Sequence, residues 1–434
     1  MIYWSCLPSI QAEAGTSVYE QEPNDDISTA NEIRLDDFVT GTLTNIDVDN
    51  YKITIPEQGL FSLWGYSHDR VNAVSPALIS EDGTSYFDCG EKEGSREFYC
   101  GDQVVQPGTY YIQITSGDND LAVNGEGYTF NMYFTTPSVN RISGADRYET
   151  ATKIANERWA EGTEDIVLAT GEDFPDALAA GPLAFYLGGP ILLTRKNQLP
   201  NTVLSFIEKS DVQTVTIVGG TAVISQQVEN YLRNTLGLHV NRIAGKDRFE
   251  TAANIAKAIP GKISEAVIVN GRNYPDALSI APYASLGGIP ILLSETTTLP
   301  AVTAETLRTK GVITTTVIGG TNAVSELVFS GLPKPKRIAG QDRYETSLLV
   351  SLMMGYDNVV YLASGANFPD ALSGSVLAGV SGSPILLTPP TYLTEDTKEV
   401  IREFSAIKFT ILGGSGAVSD QVERDLWDVI RNLE

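Results

Sequence analysis

The string Arg-Ile-Ser-Gly-Ala-Asp-Arg-Tyr-Glu-Thr at residues 141–150 returns at 242–251 and again at 337–346 with changes at only three positions. Three near-copies separated by about 100 residues mark an internal repeat, so the chain must build one folding unit three times. The register between copies is tight. Asp176 to Pro190, Asp276 to Pro290 and Asp370 to Pro384 are each 14 steps, and from those prolines to Gly219, Gly319 and Gly413 each step is 29. Length differences collect in the last helix of the unit and the loop after it.

The first copy reads as alternating elements. Asn140–Gly144 is a short strand, and the segment from Ala145 to Ala160 carries apolar residues at helical spacing. Asp146 and Glu149 form an Asp-x-x-Glu capping pair at its start. The apolar run Asp165–Gly171 is a strand of the kind buried on both faces. A second helix enters through Pro175, where a missing N–H costs nothing. Strand, helix, strand and helix follow at 190–194, 199–210, 214–220 and 225–237. This alternation predicts a parallel sheet with helices on both faces, so each copy is a Rossmann-like α/β domain.

Ahead of the repeats, residues 38–136 alternate polar and apolar in short runs between Gly, Pro, Asn and Asp, which predicts an antiparallel β-sandwich. Charge separates the two regions. Residues 1–140 hold 22 acidic against 5 basic side chains, whereas 141–434 hold 32 against 25. So acidic a chain does not suit nucleic acid, and no apolar run reaches the ~20 residues of a membrane span. Only His68 and His239 are available for histidine chemistry, and neither lies in a repeated string. Residues 1–14, ending Ala12-Glu13-Ala14 before Gly15, read as the remnant of a signal peptide lacking its basic start. Cleavage there would remove Cys6 and leave Cys89 and Cys100, either as a disulfide in an oxidising compartment or as two free thiols. Asp47, Asp49 and Asn50 offer oxygen ligands for calcium, or simply a solvated turn.

Two resemblances give these readings a direction. Glu-Pro-Asn-Asp at 22–25, Asp-Val-Asp-Asn-Tyr at 47–51 and Pro-Gly-Thr-Tyr-Tyr at 107–111 resemble the bacterial pre-peptidase C-terminal domain, a non-catalytic β-sandwich of secreted proteins. The three copies share Arg-Ile-x-Gly-x-Asp-Arg-Tyr/Phe-Glu-Thr, Phe/Tyr-Pro-Asp-Ala-Leu, Pro-Ile-Leu-Leu and a Gly-Gly turn leading to a valine. That set is similar to the cell wall-binding repeat 2 family. The resemblance implies a secreted protein with three tandem domains in a pseudo-threefold arrangement. These would bind anionic polysaccharide or teichoic-type polymer of a Gram-positive wall without covalent attachment. The expected domains are then 15–136, 140–238, 239–333 and 334–434.

The shared strings begin where predicted strands end, and the carboxyl edge of a parallel sheet is where ligands bind. Arg147, Arg248 and Arg343 stand in the first turn of a helix, against its dipole. Two roles would offset that: a pair with Asp176, Asp276 and Asp370 at the same edge, or a contact to a phosphate or carboxylate of the polymer. Arg141, Arg242 and Arg337 on the first strand suit either role. No Gly-x-Gly-x-x-Gly is present, so a nucleotide is not indicated, nor is any cofactor. The third copy departs most, with Val376 where the others have Pro182 and Pro282, and its site is expected to be weaker or absent. The sandwich and repeats leave no stretch within these residues for a catalytic domain, so the expectation is an anchor and not an enzyme. The alternatives are an accessory or activator of a wall hydrolase, or a wall enzyme with an unrecognised carboxylate site. The repeats would display the acidic sandwich, which could in turn hold a protein or glycan partner.

Overall fold

A computed structural model of the protein describes residues 15–44, 48–68, 74–91, 95–116, 126–356 and 359–433. These form two compact units, one of the described residues up to 137 together with 431–433, the other of residues 138–430. The first contains eleven described strands: β1 (Ser17–Tyr19), β2 (Asn31–Glu32), β3 (Phe38–Leu43), β4 (Val48–Ile55), β5 (Gly59–Ser67), β6 (Val74–Ser80), β7 (Ser85–Asp88), β8 (Gly90–Glu91), β9 (Glu97–Val105), β10 (Gly108–Ser116) and β11 (Glu126–Thr135). They pair in two sheets, ordered β1-β3-β11-β5-β9-β8 and β2-β4-β10-β6-β7, antiparallel except at β1–β3 and β2–β4. Alternation does the sorting. In β4, Tyr51, Ile53 and Ile55 turn inward to a core shared with Phe61, Phe98, Tyr128 and Phe130 from the other sheet. Cys89 and Cys100 are joined by a disulfide, with Cα atoms 4.4 Å apart.

In the second unit, copy one supplies β12 (Ser138–Ile142), α1 (Arg147–Trp159), β13 (Asp165–Thr170), α2 (Ala180–Leu187), β14 (Ile191–Thr194), α3 (Asn201–Lys209), β15 (Thr214–Val218) and α4 (Gln226–Asn230). Copy two supplies β16 (His239–Ile243), α5 (Arg248–Ala258), β17 (Glu265–Asn270), α6 (Pro275–Leu286), β18 (Ile291–Ser294), α7 (Ala301–Lys310), β19 (Thr314–Ile318) and α8 (Glu326–Ser330). Copy three supplies β20 (Pro335–Ile338), α9 (Arg343–Ser351), β21 (Val360–Ser364), α10 (Pro369–Val380), β22 (Ile385–Thr388), α11 (Glu395–Glu403), β23 (Lys408–Leu412) and α12 (Asp420–Arg431).

Each sheet has four parallel strands, but they do not all come from one copy. The orders are β14-β13-β15-β16, β18-β17-β19-β20 and β22-β21-β23-β12. The strand opening each copy therefore completes the sheet of the copy before it, and β12 completes the sheet of copy three. Sequence repeat and structural sheet are out of phase by one strand. Central strands such as Ile166–Ala169 are buried on both faces, as their unbroken apolar runs require.

The second helices of the three copies pack on one another. Gly181 of α2 makes room for Ser285 and Ser375, because a Cβ there would meet both hydroxyls. The helix expected to start at Pro175 is regular only from Ala180. Before that the chain makes tighter i→i−3 turns, Ala177 N–H to Phe174 O and Ala180 N–H to Ala177 O, each 3.0 Å. In the other copies Pro275 and Pro369 do occupy the first helical position.

Candidate functional site

Most of the recurring motif is accounted for by helix entry. Asp146, Asp247 and Asp342 are N-caps whose carboxylates accept first-turn N–H groups. Glu149, Glu250 and Glu345 reach back to the N–H groups of Ala145, Lys246 and Gln341 at 2.7, 2.9 and 2.6 Å. Thr150, Thr251 and Thr346 accept from the N–H of Gly144, Gly245 and Gly340, each at 3.0 Å. Those glycines are required because a Cβ would collide with the glutamate that closes the cap.

The strand arginines are spent on the sheet they join. Arg141 donates to the carbonyls of Gly413 and Val418 and to Glu423 at 3.0, 2.7 and 3.1 Å. Arg242 reaches Gly219 O at 2.7 Å and Glu229 at 2.8 Å, and Arg337 reaches Gly319 O at 2.8 Å and Glu326 at 3.0 Å. Their side chains are only 15–17% exposed, so little of each remains to meet a polymer. The acidic partners went unnoticed in the sequence for a simple reason. Glu229 and Glu423 stand ten residues after their glycine but Glu326 stands seven after, so no fixed spacing marks them.

Arg147, Arg248 and Arg343 behave differently. Each donates Nη1 to a carbonyl of its own copy, Gly171, Gly271 (2.8 Å) and Gly365 (2.7 Å) respectively. Each guanidinium also lies about 6 Å from an aromatic ring of the preceding copy: Arg248 from Phe174, Arg343 from Tyr274, and Arg147 from Phe368. The three rings pack on one another with centroids 5.2, 6.0 and 6.3 Å apart. They are the first residue of the Phe/Tyr-Pro-Asp string, whose role periodicity alone could not give.

The aspartates next to these rings face the same arginines across the copy boundary. Among the described residues, none of the three aspartates comes within ion-pair distance of them. Burial raises the carboxyls of Asp176, Asp276 and Asp370 above their ordinary value, Asp276 to about 6. Arg248, Arg343 and Arg147 respectively pull the other way.

Clefts open at these boundaries. One of about 590 Å³ lies between copies one and two, lined by Asp176, Gly220, Lys246, Arg248, Arg272 and Glu295 among others. Its counterpart between copies three and one, about 320 Å³, holds Arg147, Asp370 and Gly414. Each cleft offers a guanidinium beside a helix start and polar turn backbone, a setting that suits an anionic oxygen. In the first unit, Asp49 accepts a 2.5 Å hydrogen bond from Tyr128 Oη, and Asn50 donates to Asn24 O at 3.0 Å. Both are fully buried, so they do not make the solvated turn of one sequence reading, and Asp47 lies outside the described residues. Among the described residues no group of three His, Cys, Asp or Glu is disposed to hold a metal ion, and no helix is long and apolar enough to cross a membrane.

Three stretches, 141–229, 242–329 and 337–423, match the family described as Cell wall binding domain 2. The chain is 34% identical over 290 residues to the N-acetylmuramoyl-L-alanine amidase LytC of Bacillus subtilis, spanning 67% of this chain and 58% of that protein. It is 35% identical over 294 residues to the Amidase enhancer of the same organism, spanning 67% of this chain and 40% of the relative. The match thus takes in about half the length of these curated relatives. Among solved structures, Cwp8 from Clostridium difficile is similar with a TM-score of 0.62 at 30% identity, over 68% of this chain and 52% of that one. Cwp6 from the same organism gives 0.64 at 23% identity over 88% and 68%. With three copies of its motif set matched over more than half of its residues, the chain belongs to the cell wall binding domain 2 family.

Proposed function

We propose that this protein is a wall-borne, non-catalytic anchor that binds an anionic polymer of a Gram-positive cell wall without covalent attachment. Its contact points are the clefts between copies. The observation that carries this reading is the recurrent arginine at each helix start, which lies beside the ring and faces the aspartate of the neighbouring copy and, in copies one and two, lines an open cleft. An anionic oxygen placed there would offset the unfavourable position of the charge. The expected boundaries 140–238, 239–333 and 334–434 describe sequence repeats, and the cyclic order of strand and arginine contacts supports a pseudo-threefold arrangement. We read the first unit as a β-sandwich of the pre-peptidase type, displayed by the anchor. Resemblance to an Amidase enhancer favours, as a second reading, an accessory role beside a wall hydrolase.

The test is direct binding. Phosphate-bearing polymer released from walls should bind the full chain in solution, with affinity falling as sodium chloride rises. Absence of saturable binding at low salt would overturn the reading.

A further inference from the structure

In copy one a slot opens between the first and third helices. It continues past the start of α3 toward α4 as a polar trough, made of adjoining depressions of about 400, 470 and 390 Å³. Asn201 and Thr202 are common to the first two, and Gln198 and Asn201 to the last two, so the depressions run together. The lining is rich in amides and hydroxyls: Thr152 and Asn156 from α1, Asn201, Thr202 and Ser205 from α3.

The fold does not ask for these side chains. Counting from the helix starts, copy two carries Ala253, Lys257, Ala301, Val302 and Glu305 at the same places, and copy three carries Leu348, Leu352, Glu395, Asp396 and Glu399. Of the five charged side chains lining the trough, four are matched within the chain and Lys209 stands apart. Lys153 pairs with Glu149 at 3.3 Å, and Arg195 with Asp146 at 3.4 Å while lying over the Tyr148 ring. Thr202 Oγ1 is left without a hydrogen-bond partner. At the far end Tyr231, 38% exposed, offers a ring face.

We infer that copy one carries a second site, for an uncharged chain of N-acetylated sugars. Amide and hydroxyl side chains match the acetamido and hydroxyl groups of such a chain, an exposed tyrosine suits the apolar face of a sugar ring, and with four of the five charges paired internally only Lys209 is left for an ionic ligand. The trough adjoins the Arg147 cleft, sharing Ala145 and Asp146 with it, but none of the three helix-start arginines lines it.

Calorimetric titration of the full chain with chitotetraose tests it. Saturable binding is expected. The Asn201→Ala/Thr202→Val variant should weaken it at least ~10-fold with unchanged Tm, since α7 already carries those residues at these positions. Should that variant melt early, Asn156→Lys, the residue of copy two, serves in its place with the same expectation. The Arg147→Gln/Arg248→Gln/Arg343→Gln variant should bind chitotetraose as the parent does, so failure of the anionic-polymer reading would leave this result standing. Polymer-free sacculi or released polymer, whichever displaces chitotetraose from the parent chain, identifies the source of the sugar. No saturable binding, equal affinity in a folded variant, or displacement by neither wall fraction would overturn the inference.

Discussion

Gly319 sits with φ +105° at the end of β19, and a Cβ there would run into Asp276 Oδ2. Gly219 and Gly413 stand in the same relation to Asp176 and Asp370. The first glycine of the Gly-Gly turn is thus fixed by two demands, a left-handed backbone and the close approach of a carboxylate. Shielding from water leaves that carboxylate costly to ionise. For Asp276 the folded value of about 6 exceeds the ordinary 3.8, so between these values the folded chain holds more protons than the unfolded one. Stability must therefore fall as pH rises through that window, by about 3 kcal/mol for a shift of about two units. Asp276→Asn removes the charge and keeps the shape. Its Tm should lie a few °C above the parent's at pH 7.5, and the two should converge near pH 4. A lower Tm for the variant at pH 7.5 would mean that the charged form is needed, with Arg343 as the group that needs it.

At the scale of elements, the odd feature is the strand that opens each copy. Ser138 N–H donates to Ile407 O at 2.9 Å, and alternation along a parallel strand turns the Asn140 N–H toward the same neighbour. Asn140→Pro should therefore speed hydrogen exchange in β23, at 408–412, and leave β13, at 165–170, as protected as in the parent. Loss of protection in β13 instead would return β12 to its own copy. The sequence could not disclose this phase. Alternation and helical spacing are local, and they located β13, α1 and the capping pair Asp146/Glu149 from residues a few positions apart. Which sheet an edge strand joins is decided by contacts hundreds of residues away, as between Arg141 and Gly413. The same limit explains the aspartates. Asp176 and Arg147 share a copy and were natural partners on paper, whereas the chain sets Asp176 against Arg248 and Asp370 against Arg147. The Cys89–Cys100 bridge was one of two states the sequence left open, and the structure selects it, joining residues eleven apart.

At the scale of the molecule, three boundaries repeat one arrangement, and each arginine has two tasks that one experiment can separate. Its Nη1 is committed to a carbonyl, with an aromatic ring beside it, so replacement must cost some stability. A hydrogen bond from a charged donor contributes about 1.5–3 kcal/mol, partly shared here with water. The clefts lined by Arg147 and Arg248 leave room for a ligand oxygen as well. A polymer with repeated anionic groups can engage several boundaries at once, so losses at separate sites multiply. Arg248→Gln alone should weaken polymer binding about 5- to 10-fold, at ~1 kcal/mol for one exposed charge-assisted contact. Replacing Arg147, Arg248 and Arg343 together should weaken it about 25- to 100-fold, two such losses multiplied, and flatten its salt dependence. Changing all three to Lys sharpens the distinction. Lysine keeps the charge but lacks the fork that spans carbonyl and ligand. If the arginines bind polymer mainly as charges, the triple-Lys chain should retain the salt dependence of the parent while melting lower. If they only brace the boundaries, triple-Gln and triple-Lys chains should lose Tm alike, and polymer affinity measured well below either Tm should equal the parent's. That outcome would remove the arginines from the binding surface.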